Sequence, residues 1–249
     1  MIPLQVADAG TLLEDGLALL DGLMEDPTPI LRWYRSSSTA VVLGRGQRSL
    51  VEADASGPTS ALPIVERHSG GGAVLMDPGL LSLDVVVPAG HPLAAGELGA
   101  VFDRVGEAWR AALADLGVPG LNVHRGPATA RRRGSPRERL LAAICYATLG
   151  RGEVLVGGRK LVGLSQRRRR HGALVQCGLL RRWDPAPLLE LFAAAAGPDL
   201  SPGELAVLRH RAVGLDELMG ARAPDDEAVM AAVQRHLAGT CTKPERQGP

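Results

Sequence analysis

The sequence predicts an α+β fold, a mixed and mostly antiparallel sheet flanked by helices, and three observations carry that prediction. Its 249 residues are 45% apolar and 22% charged, enough to bury one large core or two modest ones and too apolar for a disordered tail. Strand-like runs dominate up to about residue 180, and helical periodicity takes over from Pro185. The strands thus precede the C-terminal helices instead of alternating with them, as an antiparallel sheet with segregated helices requires.

Leu12 to Met24 carries apolar residues at helical spacing and closes at Asp26-Pro27, so the first helix lies there. The period then changes: ILRWYR and TAVVLGR read as short strands joined by the serine run 36 to 38, and LPIVER as a third. LLSLDVVVP is a further strand, β-branched and ended by Pro-Ala-Gly. Val101, Val105, Ala108, Trp109, Ala112 and Leu116 mark a second amphipathic helix that stops at Gly117. Residues 125 to 139, rich in Gly, Pro and Arg, read as a long loop, a feature that usually serves a site. Beyond LLAAICYA, VLVGGRKLVGLSQ reads as a hairpin turning at Gly157-Gly158, and ALVQCGLL as one more strand. Three helical stretches follow, the last with Asp225 as its N-cap. A soft boundary near residue 184 divides a main domain, 1–184, from a helical extension, 185–249, packed on the same domain.

Lys+Arg 28 against Asp+Glu 27 gives a net charge of +1, so no global field draws the chain to nucleic acid or an anionic membrane. Cys145, Cys177 and Cys241 form an odd, widely spaced set, which suits a reducing cytoplasm rather than a disulfide framework. No stretch approaches the roughly 20 apolar residues of a membrane span, and the start lacks the pattern of an export signal. The expected setting is cytoplasmic, and no metal site is assigned. Of the 28 basic residues only Lys160 and Lys243 are lysines, so a lysine away from the polar tail needs a reason.

Four clusters carry chemistry. Arg67-His68-Ser69-Gly70-Gly71-Gly72-Ala73-Val74 joins two strands, and three successive glycines there are either a flexible turn or a place where a ligand approaches backbone N–H groups. Lys160, leaving the Gly157-Gly158 turn, is either a solvated edge residue or a compact ammonium for a carbonyl or phosphoryl oxygen. Cys145 is either a small buried hydrophobe or a nucleophile. Cys177 reads as packing or cleft lining. The arginine runs 131 to 133 and 167 to 170 fit an acidic protein partner as well as nucleic acid, and with 3% aromatics there is no stacking platform for single strands.

Together the clusters resemble the biotin/lipoate protein ligase superfamily, in its lipoate ligase and octanoyltransferase part. R-H-S-G-G-G-A-V is close to that family's R-x-S/T-G-G-x-A-V. Leu43-Gly44-Arg45-Gly46-Gln47 matches its L-G-R-x-Q, and G-R-K-L-V-G-L-S-Q its lysine motif. The resemblance covers roughly residues 10 to 192 and implies a biotin/lipoate ligase catalytic-domain fold. It implies attachment of an octanoyl or lipoyl group to one lysine of a lipoyl domain or glycine-cleavage H protein. Arg67, Ser69, Gly70, Gly71, Gly72 and Gly163 then fall at the acyl or acyl-adenylate pocket and Lys160 at the acyl carbonyl.

Two branches share these motifs. A transferase takes the acyl group from acyl carrier protein, in one branch through a cysteine thioester, and requires no cofactor; a ligase activates the acid with ATP and Mg. Cys145, fifteen positions before Lys160, and Glu153 match the cysteine branch; the glycine motif with Asp77-Pro78-Gly79 is closer to the ligases. The expected function is octanoyl transfer through Cys145, with the ligase as alternative and a non-catalytic acyl- or nucleic-acid-binding regulator as a third reading. Lys160→Ala is expected to end activity and leave the fold intact.

Overall fold

The computed structural model describes residues 2–48, 62–97, 99–129, 136–196 and 202–242. The chain opens with a strand, β1 (Ile2–Ala7), that periodicity does not announce. The first helix, α1 (Ala9–Gly22), starts at Asp8, whose carboxylate accepts from Thr11 N at 3.0 Å, and leads to β2 (Ile30–Ser36), which lies parallel to β1. The short strands β3 (Ala40–Leu43), β4 (Ile64–Glu66) and β5 (Val74–Met76) form a separate small sheet in the order β4-β3-β5. ILRWYR and TAVVLGR are therefore strands as expected, but the serine run carries the chain from one sheet to another.

The main sheet continues with β6 (Leu80–Pro88), and α2 (Ala100–Asp115) crosses it before β7 (Leu121–Val123). Pro136 opens α3 (Pro136–Ala143), so the latter part of the expected loop is helical, and Pro at a first helical turn loses no hydrogen bond. The arginine run 131 to 133 lies outside the described residues. A short 3₁₀ turn, Cys145–Ala147, precedes β8 (Val154–Val156), β9 (Arg159–Arg168) and β10 (Gly172–Leu180). The expected hairpin turns at Gly157 and Gly158, whose φ of 57° and 79° suit the left-handed backbone of a two-residue connection. Strand order is β1-β2-β6-β10-β9-β8-β7, antiparallel except for β1 with β2.

The C-terminal helices are α4 (Ala186–Ala196), α5 (Pro202–Arg209), α6 (Leu215–Met219) and α7 (Asp226–Thr242). Asp225 caps α7 by accepting from Ala228 N at 2.8 Å. One face of the main sheet packs on α2 and α7: Leu83, Val85, Val175 and Leu179 meet Trp109, Leu113, Val229 and Val233. The other face packs on α1 and the small sheet through Leu13, Tyr34, Val42, Met76 and Leu80. Because β6 is covered on both sides, it reads as a nearly unbroken apolar run rather than an alternating one. Residues 211 to 213 extend the sheet beside Lys160, with Lys160 N donating to Arg211 O at 2.9 Å and Val213 N to Lys160 O at 3.0 Å.

Candidate active site

Strand register builds the site's floor on the face toward α1 and the small sheet. Directly paired residues share a face, so the pairings Tyr34↔Ser82, Ser82↔Gly178 and Gly178↔Gly163 lay three small residues in a row across β6, β10 and β9. Above that row opens a small, mostly apolar cavity of about 50 Å³, walled by Leu13, Val42, Val74, Met76 and Leu80. The adjacent row, Arg32↔Asp84↔Gln176↔Ser165, is polar and bonded end to end. Arg32 Nη2 lies 2.9 Å from Asp84 Oδ2, the Tyr34 hydroxyl donates to Asp84 Oδ1 at 3.1 Å, and Gln176 Nε2 reaches the same oxygen at 3.5 Å. Ser69 Oγ donates to Gln176 Oε1 at 3.2 Å and lies 3.3 Å from Ser165 Oγ. Burial pushes Asp84 up to about 6 against the pull of Arg32.

The glycine segment docks on the chain before Cys145 and lines a second cavity beside the first. Ala73 N donates to Ala143 O at 2.6 Å and Cys145 N to Ala73 O at 2.9 Å. A Cβ at Gly72 would stand 2.5 Å from Cys145 N, which explains glycine there without any ligand. Gly71 needs its φ of 105°; Gly70 has open space where a side chain would go. The Arg67 guanidinium ties the loop from within, donating to Gly70 O at 3.0 Å and Gly72 O at 2.8 Å. Gln47 secures the first motif to the same place: its Oε1 accepts from Gly44 N at 2.8 Å and its Nε2 donates to Ala143 O at 2.9 Å.

Lys160 arrives from the far side. The β8–β9 pairing slips between Val154↔Val162 and Leu155↔Lys160, a local irregularity of the kind that re-aims side chains. Leu161 and Val162 enter the main core, whereas Lys160 Nζ donates to the Cys145 carbonyl at 2.7 Å and pairs with Glu153 Oε2 at 2.6 Å. Lys160 is 1% exposed and Glu153 2%, so this is a buried ion pair. Glu153 also accepts from Gly150 N at 2.6 Å.

The second, larger cavity of about 440 Å³ brings together Arg67, Gly70, Gly71, Gly72, Cys145 and Lys160. Four residues border both spaces: Arg67, Cys145, Leu164 and Ser165. Cys145 is half-buried and free of any disulfide, and borders both the small apolar cavity and the larger chamber. Lys160 and the triglycine therefore meet in the chamber rather than in the apolar cavity. Ser69 is bonded into the polar row, and Gly163 lies in the floor of the apolar cavity under the Tyr146 ring. Cys177 is buried, its thiol pushed up to about 12 by burial, which fits a packing role.

Sequence reasoning passed over Tyr146, Arg32 and Asp84. A charged residue inside the otherwise apolar LLSLDVVVP was the available signal for Asp84.

The family model of the lipoyl protein ligase A/B catalytic domain matches residues 17–238. The chain belongs to this family. Among lipoyl protein ligase A/B relatives, Octanoyltransferase LipM of Moorella thermoacetica is 32% identical over 216 residues, 84% of this chain and 73% of that protein. Octanoyl-[GcvH]:protein N-octanoyltransferase of Geobacillus kaustophilus is 26% identical over 244 residues, 92% of this chain and 76% of that one. The fold is shared with lipoate-protein ligase A bound with ATP, at a TM-score of 0.63 and 19% identity over 96% of this chain and 84% of that chain. A biotin protein ligase from Aquifex aeolicus shares the fold at a TM-score of 0.51 and 11% identity, over 99% of this chain and 72% of that chain. No helix among the described residues is long and apolar enough to cross a membrane.

Proposed function

We propose that this chain transfers an octanoyl group to a specific lysine of a lipoyl domain or glycine-cleavage H protein, through a thioester on Cys145. The observation that carries the reading is the position of Cys145, bordering both an apolar cavity and the chamber that holds Arg67, Lys160 and the glycine segment; we assign the acyl tail to the first and the reacting groups to the second. The relatives named octanoyltransferase support the acyl group, and the one named for GcvH supports the acceptor.

In the first half-reaction the Cys145 sulfur attacks the carbonyl carbon of an acyl thioester, for which acyl carrier protein is the donor we favour. The new S–acyl bond forms as the donor C–S bond breaks, and the donor thiol leaves with the proton that Cys145 gives up. In the second, the acceptor lysine amine attacks the enzyme thioester, an amide forms, and the Cys145 thiol is regenerated with the amine's proton. Exchange between thioesters is nearly balanced in energy, so this route requires no cofactor. Lys160 Nζ donates to the backbone carbonyl of Cys145 at 2.7 Å and borders the same chamber, and we assign it to the acyl carbonyl and its developing oxyanion.

Intact mass spectrometry after incubation with octanoyl carrier protein tests the reading. An octanoyl adduct is expected on the wild type and on Cys177→Ala, and none on Cys145→Ala; normal transfer by Cys145→Ala would overturn the thioester route. The chamber's lining by Arg67, Lys160 and the glycine backbone gives an ATP-dependent ligase, acting through an acyl-adenylate with Mg, the standing of a second reading. Robust lipoate-dependent exchange of pyrophosphate into ATP would decide for it.

A further inference from the structure

Gly163 and Gly178 face each other across β9 and β10, in the interior of the main sheet. Two opposed glycines there forgo cross-strand packing and weaken both strands, so the bare patch needs an occupant. The Tyr146 side chain fills it. A Cβ at Gly163 would lie 3.2 Å from the phenol oxygen, and one at Gly178 only 2.8 Å from it. The phenol donates to Gly178 O at 2.7 Å.

Tyr146 is also joined to both residues assigned to the chemistry. It follows Cys145 in the same 3₁₀ turn, and the Lys160 ammonium stands 5.4 Å from its ring centroid while donating to the Cys145 carbonyl. On its outer side it meets Trp183 at 5.7 Å, and Trp183 is fixed in turn by donating Nε1–H to Leu208 O at 3.0 Å. The turn that carries Cys145 is thus held from two directions: backbone bonds to Ala73 tie its start, and the Tyr146 phenol pins it to β10.

We propose that Tyr146 is a positioning residue for the acyl transfer: seated on the Gly163/Gly178 patch, it fixes Cys145 at the border of the two cavities and Lys160 against it. Gly163, placed at the acyl pocket by resemblance, then serves by admitting this ring. The inference rests on the Cys145 reading, and its test separates the two.

Time-resolved acyl-enzyme formation from octanoyl carrier protein is followed by intact mass. A reacting group displaced by a fraction of an ångström loses turnover rather than affinity, so Tyr146→Leu is expected to lower kcat about tenfold or more with KM within about twofold. Tyr146→Phe keeps the ring and loses far less. Gly178→Ala, whose methyl enters the space of the phenol oxygen, is expected to reproduce the Tyr146→Leu defect. Adding Tyr146→Phe to it restores most of the rate, because the closest clash is gone and only the milder contact with Leu80 Cδ1 at 3.2 Å remains. This last pair carries the test by itself should Tyr146→Leu not fold. An unchanged kcat in Tyr146→Leu, or a Gly178→Ala defect that Tyr146→Phe does not relieve, overturns the proposal while Cys145→Ala remains inactive. Full transfer by Cys145→Ala defeats the thioester reading instead.

Discussion

Lys160 Nζ and Glu153 Oε2 stand 2.6 Å apart with both side chains almost wholly excluded from water. Taking one charge from such a pair strands the other, a loss on the order of 3–5 kcal/mol, whereas removing both together is far milder. The sequence alone leads one to expect that Lys160→Ala silences the enzyme and spares the fold. The ion pair corrects that expectation: Lys160→Ala should lower stability as well as activity. Lys160→Met combined with Glu153→Gln should recover most of the stability and none of the transfer. Urea unfolding of the single and double variants checks this, and a single variant as stable as the wild type would refute it.

The three glycines divide by mechanism, and their alanine variants should divide with them. Gly72→Ala drives a methyl into the backbone at Ile144 and Cys145, so both stability and transfer are expected to fall. Gly70→Ala meets nothing within 4 Å and has no positive φ, so its stability should stay within about 0.5 kcal/mol of the wild type. If a substrate approaches the Gly70 backbone, that variant loses activity alone. Thermal unfolding beside transfer assays separates the cases, and a strongly destabilised Gly70→Ala would contradict the geometry.

Much of this was legible along the chain because local signals fix local features. The Gly157-Gly158 hairpin, the Asp225 cap and the three glycine-centred and lysine motifs need only neighbouring residues to be seen. What stayed hidden depends on register between distant strands. Gly163 and Gly178 look like unrelated glycines until β9 and β10 pair, and only then does Tyr146 have a seat. The interlock of Gln47 with Ala143, ninety-six positions apart, is invisible for the same reason. The parallel placement of β1 and the split of the short strands into two sheets follow from which faces α1 covers, a tertiary fact that strand periodicity does not encode.

Thiol chemistry distinguishes Cys145 from Cys177. Cys177 is buried, with its thiol held up to about 12, and Cys145 borders two cavities. Since the thiolate is the reactive form and must also be reachable, iodoacetamide on the native protein should label Cys145 first and leave Cys177 largely intact at neutral pH. Peptide mapping checks it; preferential labelling of Cys177 would contradict both the burial and the assignment of roles. Octanoylation beforehand should protect Cys145.

The buried Arg32, Asp84 and Tyr34 group gives the fold a pH dependence with a definite sign. Asp84 is raised from an ordinary 3.8 to about 6, chiefly by burial, so the folded state binds its proton more tightly than the unfolded chain. The stabilisation from that proton is full below about pH 4 and is lost as pH rises through about 6, on the order of 3 kcal/mol across the window. Asp84→Asn is a neutral isostere that cannot titrate, so it should lack this part of the slope and differ least from the wild type near pH 4, where the wild-type carboxyl is itself protonated and Arg32 keeps Asp15 at 3.4 Å. Urea midpoints measured from pH 4 to 7 on both proteins give the difference directly. Identical slopes would show that Asp84 does not carry the effect, and a wild type gaining stability relative to the variant as pH rises would reverse its sign.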